Sequence, residues 1–310
     1  MQKVLVYDGT AQVAIDYLKQ NGFEVIINHE SSDQDFLDHA DVDGMILMMY
    51  PMTAELMKQM PNLKVIARHG VGYDTVDVAA AKADGIVVTN TPGANANAVA
   101  ETAVAYALMA GRNFAASNRG ITDPAEKKYA QTHVGTELSH KTVGILGFGH
   151  IGKRVNELLS GFGINSLVYA RHDYDVPNGR MADLDEIFEK SDYVISTLPG
   201  VPATHHLVDA AAFKKMKSTT VLVNVGRGSV VDEAALVAAL KDGEIASAGL
   251  DVVEQEPISP ENPLLALPNT FVTPHVASAS HEALESVGMA AAKQVVDVLQ
   301  GKPAEFQVNR

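Results

Sequence analysis

The stretch Thr142-Val143-Gly144-Ile145-Leu146-Gly147-Phe148-Gly149-His150-Ile151-Gly152-Lys153 decides the fold. Its first five residues read as a short buried strand, and Lys153 to Ser160 carries apolar residues at helical spacing. The run GFGHIG, Gly147 to Gly152, therefore lies between a strand and a helix. Gly147 suits a tight turn, Gly149 a close approach of backbone to a pyrophosphate, and Gly152 close packing of helix on strand. Phosphates would meet N–H groups at the helix N-terminus. A bare GxGxxG is compatible with an ordinary glycine turn, and it is the strand-turn-helix setting that favours a dinucleotide clamp.

Outward from this run the alternation of strand and helix continues. Downstream strands are expected near Val143 to Leu146, Ser166 to Ala170, Tyr193 to Ser196, Val221 to Val225, Ser247 to Leu250 and Thr270 to Thr273. Six strands suit a complete dinucleotide-binding sheet. Upstream, Val4 to Tyr7, Glu24 to Ile27, Gly44 to Met48, Lys64 to Ala67 and Ile86 to Thr89 alternate with helical segments, which predicts parallel βαβ units. Asn90-Thr91-Pro92-Gly93-Ala94-Asn95 is turn chemistry before a long helix, Ala98 to Gly111, that would carry the chain to a second lobe. The last helix, Glu282 to Leu299, is expected to return to the first, leaving a cleft where small molecules bind. The fold expected is α/β with two Rossmann-like domains. Residues 98–281 form a doubly wound parallel-sheet cofactor domain, and residues 1–97 with 282–310 form a smaller, flavodoxin-like, discontinuous domain.

Composition excludes several classes of function. A net charge of −14, from 38 acidic against 24 basic side chains, argues against a nucleic-acid or anionic-membrane partner. With no cysteine, there are no disulfides, thiolate metal sites or cysteine nucleophile. The 46% apolar content supports substantial cores. Met1 to Asp8 reads as a first strand that reaches an acid too early for a signal peptide, so a cytoplasmic location is expected. The Ala-rich run Ala98 to Ala110, interrupted by Glu101, Thr102 and Tyr106, reads as a buried helix rather than a membrane span.

Catalytic groups in a doubly wound sheet belong just past the carboxyl ends of strands. Arg227 follows Val221 to Val225 and is flanked by Gly226 and Gly228; its guanidinium could hold a carboxylate through a bidentate fork, or form a structural ion pair. Glu256 lies beyond Leu250-Asp251, and His275 beyond Phe271-Val272-Thr273. A histidine can give a proton near neutral pH, and a neighbouring carboxylate would orient its ring. Alone, each residue reads as structural; their placement after successive strands is what raises them.

The ordered set GFGHIG, STLPG (Ser196–Gly200), NVGRGSVVDEAAL (Asn224–Leu236), GLDVVEQEP (Gly249–Pro257) and TPHVAS (Thr273–Ser278) resembles the D-2-hydroxyacid dehydrogenases. RHGVGYDTVD (Arg68–Asp77) and NTPGANANAVAE (Asn90–Glu101) are similar to that family's substrate lobe, so the resemblance spans nearly the whole chain. It implies an oxidoreductase acting on a small 2-oxo or 2-hydroxy acid with a nicotinamide cofactor, and a homodimer built through the cofactor lobe. Arg227 would bind the carboxylate and polarise the carbonyl, His275 would protonate the carbonyl oxygen, and Glu256 would pair with His275. Gly70, Val71 and Gly72 would present N–H groups to the same carboxylate, with Tyr50 near the substrate side chain. Phe148, His150 and Ile151 belong to the clamp; Thr197, Leu198 and Pro199 would line the adenosine side and Asp251 would approach the nicotinamide, with Thr204, Val225, Gly226 and Ala277 also at the cofactor. His205-His206 falls in the family's ordinary Thr-His-His-Leu stretch and is read as structural, with no metal site expected.

Two departures bear on specificity. NAD-specific sites place an acid after the second strand of the cofactor sheet, whereas here Leu167-Val168-Tyr169-Ala170 runs into Arg171 and His172. That predicts NADP(H) in preference to NAD(H); the alternative is that Asp173 turns inward and accepts from the ribose. Relatives acting on phosphoglycerate carry a basic residue in the segment that here reads Met45-Ile46-Leu47-Met48-Met49-Tyr50-Pro51. Without a cation, a buried phosphate is costly, so an uncharged or apolar substrate side chain is expected against Met48, Met49 and Tyr50. The alternatives are an NAD-dependent phosphoglycerate dehydrogenase and a dinucleotide-sensing, corepressor-like scaffold.

Overall fold

The computed structural model describes residues 1–310, the side chain of Ala130 excepted. The chain divides into two compact units, Met1–Asn95 with Ala279–Arg310 (unit 1) and Ala96–Ser278 (unit 2).

Unit 1 holds five parallel strands, β1 Lys3–Tyr7, β2 Glu24–Asn28, β3 Gly44–Leu47, β4 Val65–Arg68 and β5 Val87–Thr89, in the order β2-β1-β3-β4-β5. Val4, Val6, Ile46 and Val65 face Ala291 and Val295 of the helix His281–Leu299. Leu5, Met45, Leu47 and Ile66 face Phe36 and Leu56 on the other side. A sheet covered on both faces needs apolar residues at consecutive positions, which is why these strands read as unbroken apolar runs. The strand order reverses between β1 and β3, and crevices for ligands form at the carboxyl ends beside such a reversal.

Unit 2 holds seven parallel strands: β6 Thr142–Leu146, β7 Asn165–Tyr169, β8 Gly179–Met181, β9 Tyr193–Ser196, β10 Val221–Asn224, β11 Ser247–Leu250 and β12 Thr270–Val272. Their order is β12-β11-β10-β9-β6-β7-β8, with the reversal between β6 and β9. The sequence led us to expect six. The extra strand, β8, is a three-residue edge pairing only with β7, and Gly-Arg-Met carries no apolar alternation to announce it. The helices Phe114–Arg119 and Pro124–Thr132 were not anticipated either, although Asp123 caps the second and Pro124 opens it. Ala100, Ala103, Ala107 and Ala110 of the helix Ala96–Gly111 are buried, and their small side chains let it lie close on β10 and β11. Among the described residues, no helix is long and apolar enough to cross a membrane.

Register decides where the chemistry can be. Leu146 pairs with Ser196, Ser196 with Asn224, Asn224 with Leu250 and Leu250 with Val272. The carboxyl ends of five strands therefore form one row. Gly147, Thr197, Arg227, Glu256 and His275 all leave the sheet along that edge.

Candidate active site

The segment after β6 requires glycine at two of the three positions that carry it. Gly147 has φ +95°, and its N–H donates to the Tyr169 carbonyl at 2.8 Å. A Cβ on Gly152 would lie 2.1 Å from the Gly147 oxygen, so no side chain fits there. A Cβ on Gly149 would meet nothing within 4 Å, so the backbone at this point faces open space that a side chain would otherwise occupy. The helix His150–Leu159 begins at Gly149 without a side-chain cap, whereas Asp183, Asp232 and Ser280 each cap the helix they start. First-turn N–H groups without a cap, beside an open backbone face, fit a pyrophosphate.

The residues expected around the dinucleotide serve the chain in identifiable ways. Thr197 donates its hydroxyl to the Gly147 oxygen at 3.1 Å, tying the end of β9 to the turn after β6. Thr204 donates to the Pro199 carbonyl at 2.6 Å and so shapes Leu198-Pro199. Phe148 is buried with its ring edge-on to Tyr174, while Lys153 Nζ lies over the Tyr174 ring, 4.5 Å from its centroid. Val225 is buried, and Gly226 admits no side chain because its Cβ would lie 2.4 Å from the Leu198 oxygen. Arg171, His172 and Asp173 are all exposed just past β7, and none makes an ion pair or hydrogen bond among the described residues.

Arg227, Glu256 and His275 are brought together through backbone contacts. Gly228 touches the second loop so closely that a Cβ would lie 1.8 Å from the Val253 oxygen. Asn224 brackets the first loop, accepting from the Gly226 N–H at 3.1 Å and donating to the Arg227 carbonyl at 2.9 Å. His275 Nδ1 lies 2.7 Å from Glu256 Oε2, and Glu256 Oε1 accepts from the Val253 N–H at 3.2 Å. Burial pushes the Glu256 carboxyl up, but the His275 hydrogen bond and charge, the Val253 N–H and the Arg227 charge together hold it below its ordinary value. An ionised carboxylate can only accept, so Nδ1 carries the hydrogen and Nε2 is the nitrogen left for other partners. His275 itself sits at φ +54°, a conformation that non-glycine residues hold only where the surroundings impose it.

What imposes it is Asp251, almost wholly buried. Expected toward the nicotinamide, this residue has both carboxylate oxygens engaged by the chain: Oδ1 accepts from Val276 N–H at 2.8 Å and Thr273 hydroxyl at 2.7 Å, and Oδ2 from Ala277 N–H at 2.9 Å. The Tyr106 hydroxyl bonds Thr273 and reaches Asp251 at 3.4 Å. Tyr106, Thr273 and Asn224 are residues that sequence reasoning missed. Only Tyr106 had left a signal, as a polar interruption in an Ala-rich helix. His206, read as structural, bonds Glu254 and lies 4.0 Å from Asp232.

In unit 1 the three residues of the loop after β4 differ in how their N–H groups are engaged. The Gly70 N–H is already spent on Thr91 Oγ1 at 3.1 Å and the Arg68 carbonyl at 3.0 Å. Of Gly70, Val71 and Gly72, only the last two have N–H groups with no acceptor among the described residues. The segment Met45–Pro51 carries no cation of its own, yet β4 supplies one beside it: the buried Arg68 guanidinium lies 2.9 Å from Met49 Sδ and donates to the His69 carbonyl at 2.6 Å. Tyr50 donates to Asp33 at 2.9 Å.

The family model for the NAD-binding domain of D-isomer-specific 2-hydroxyacid dehydrogenases matches residues 104–277. D-3-phosphoglycerate dehydrogenase of Archaeoglobus fulgidus is 36% identical over 99% of this chain, which spans only 59% of that protein's length. Glyoxylate reductase of Thermofilum pendens is 39% identical over 92% of this chain and 88% of its own. Among solved structures, an NADPH-dependent glyoxylate/hydroxypyruvate reductase of Sinorhizobium meliloti, in complex with NADP and malonate, superposes with a TM-score of 0.85. It is 33% identical, over 99% of this chain and 96% of that one. A match across more than half the chain, with relatives of this identity along nearly all of it, means that the chain belongs to the D-isomer-specific 2-hydroxyacid dehydrogenase family.

Proposed function

We propose that the protein reduces a small 2-oxo acid to the D-2-hydroxy acid, with NADPH favoured over NADH. The observation that carries this reading is the His275–Glu256 pair, joined at 2.7 Å on the strand-end row that also bears Arg227. When bound, the nicotinamide supplies the hydride that C2 of the 2-oxo acid accepts. Glu256 holds Nδ1–H, so His275 presents Nε2 to the carbonyl oxygen and gives it a proton. The 2-oxo acid would thereby gain one hydride at C2 and one proton at the carbonyl oxygen. Arg227 pairs with the substrate carboxylate and draws electron density from the carbonyl. In unit 1, Val71 and Gly72 offer N–H donors suited to a carboxylate.

NADPH preference rests on Arg171, exposed and without an ion-pair partner among the described residues. A guanidinium there suits a 2′-phosphate and leaves ribose hydroxyls without an acceptor. The NADPH dependence of the Sinorhizobium meliloti reductase supports the same choice. Initial rates with a panel of 2-oxo acids and both cofactors test the proposal. Higher kcat/KM with NADPH is expected, and Arg171→Asp should move the preference toward NADH; a clear NADH preference in the unaltered protein overturns it. Phosphoglycerate oxidation is a second reading, favoured by the 36% identity to the Archaeoglobus fulgidus enzyme and by Arg68 beside Met49. It is the minor reading because the main-chain N–H groups at the end of β3 are already held by the Glu30 carboxylate.

A further inference from the structure

A cavity of about 520 Å³ opens over the carboxyl ends of β1, β2 and β3, lined by Asp8, His29, Glu30, Met48, Met49 and Tyr50 among others. It belongs wholly to unit 1 and lies at the reversal of strand order, where α/β sheets take ligands. Main-chain N–H groups at the end of β3 would make a ready anion site. The chain fills that site itself. Glu30 Oε1 accepts from Met48 N–H at 3.0 Å, and Oε2 accepts from Met48 at 3.1 Å and Met49 at 3.3 Å. Glu30 reaches them from a left-handed backbone, φ +52°, which a glutamate holds only under constraint. Burial raises the Glu30 carboxyl's pKa, while these main-chain N–H groups and, least of all, the Arg68 charge work against that rise. Asp8 adds a second carboxylate to the wall, paired with His29 at 3.2 Å, and no lysine or arginine lines the cavity.

The cavity is placed to receive what lies beyond a bound carboxylate. The loop with Val71 and Gly72 follows β4, the neighbour of β3, and Arg68 joins the two by touching both the His69 carbonyl and Met49. Adjacent strands are about 4.8 Å apart, so the loop and the near wall of the cavity, over β3, are separated by about 5 Å, a span that a five-carbon acid can bridge.

We infer that Glu30 determines substrate class in the proposed reductase. By occupying the anion-binding N–H groups at the end of β3, it admits 2-oxo acids with uncharged side chains and turns away those with a second carboxylate or a phosphate. The inference rests on the reductase reading, and the test separates the two. The probes are 2-oxopentanoate and 2-oxoglutarate, equal in carbon number and differing by one carboxylate, measured with the full chain and each cofactor. Wild type should favour 2-oxopentanoate in kcat/KM. Glu30→Gln keeps the size and one acceptor oxygen, and should narrow that ratio by about tenfold or more, through a gain on 2-oxoglutarate. An unchanged ratio in a folded variant that still turns over 2-oxopentanoate overturns the role of Glu30 and leaves the reductase reading standing. No turnover of any 2-oxo acid by wild type overturns both. Should Glu30→Gln misfold, Met49→Lys leaves the Glu30 side chain unaltered, keeps the main-chain N–H that bonds it and adds a cation at the exposed rim; it should narrow the same ratio, and a constant ratio counts against the inference.

Discussion

Unit 2 places its clamp on one six-residue run after β6, whereas unit 1 assembles its cavity from the ends of three strands, with Asp8, Glu30 and Tyr50 about 20 residues apart in the chain. Both obey the same rule, that ligands meet the carboxyl edge where strand order reverses. They differ in what does the recognising. In the clamp it is backbone, which only glycine can expose, so the requirement is written into residue identity. In the cavity it is ordinary side chains whose meaning comes from neighbours brought by topology. The two glutamates carry the same contrast: Glu256 answers a histidine, and Glu30 answers main-chain N–H groups that the substrate would otherwise meet.

The largest expected effect is in unit 2. His275→Ala should lower kcat by about 10²–10⁴-fold, the usual worth of a positioned general acid, and leave the dissociation constant of the cofactor nearly unchanged. Steady-state rates and cofactor titration by fluorescence measure the two independently. Near-normal turnover would remove His275 from the chemistry, and the strand-end row would lose its claim over the unit 1 cavity as the seat of the reaction.

Much of this was legible in the residues. Gly147 and Gly152 each prove to need glycine, the first for its positive φ and the second for the 2.1 Å between a notional Cβ and the Gly147 oxygen. Glu256 and His275 were legible because both follow strands, and their contact is a consequence of register. The seventh strand was illegible because an exposed edge of three residues has no apolar pattern to show. Glu30 was illegible for a different reason: a left-handed glutamate leaves no signature in a sequence, and its partners lie 18 and 19 residues away. Arg68 could be read as part of RHGVGYD, but not as the cation beside Met49, since that follows from the pairing of β3 with β4.

Acid should separate the units. His69, under the Tyr7 ring and bonded to its hydroxyl at 3.3 Å, has its pKa lowered to about 4, by burial first and the Arg68 charge second. The unfolded chain then binds a proton that the folded state refuses. The stabilisation from a neutral His69 is complete above about pH 6.5 and is lost as pH falls toward 4, by about 3 kcal/mol in all. Glu256 also has a lowered value, but as a carboxyl its contribution persists down to about pH 4.5 and fades only below it. Hydrogen exchange followed from pH 7 to 4.5 should therefore show unit 1 opening before unit 2. Equal protection in both across that window would mean that His69 takes its proton without disturbing the sheet.

The smallest effect bears on how rigidly unit 2 holds its loop. Tyr106→Phe keeps the edge-on ring contact with Phe271, 5.2 Å between centroids, and removes only the hydroxyl shared by Thr273 and Asp251. Unfolding free energy should fall by about 1 kcal/mol, with Thr273→Val costing a similar amount. The informative quantity is the double variant. If the three groups act as one device that fixes the turn at His275, the two losses overlap, and the pair costs less than their sum by about 0.5 kcal/mol or more in denaturant titrations. Strict additivity would instead show that Asp251 holds Val276 and Ala277 by its own two oxygens, with Tyr106 serving only the packing of its helix. In that case unit 2, like the cavity of unit 1, would owe its geometry to a carboxylate on main-chain N–H groups, and the contrast between the two would narrow to the glycines alone.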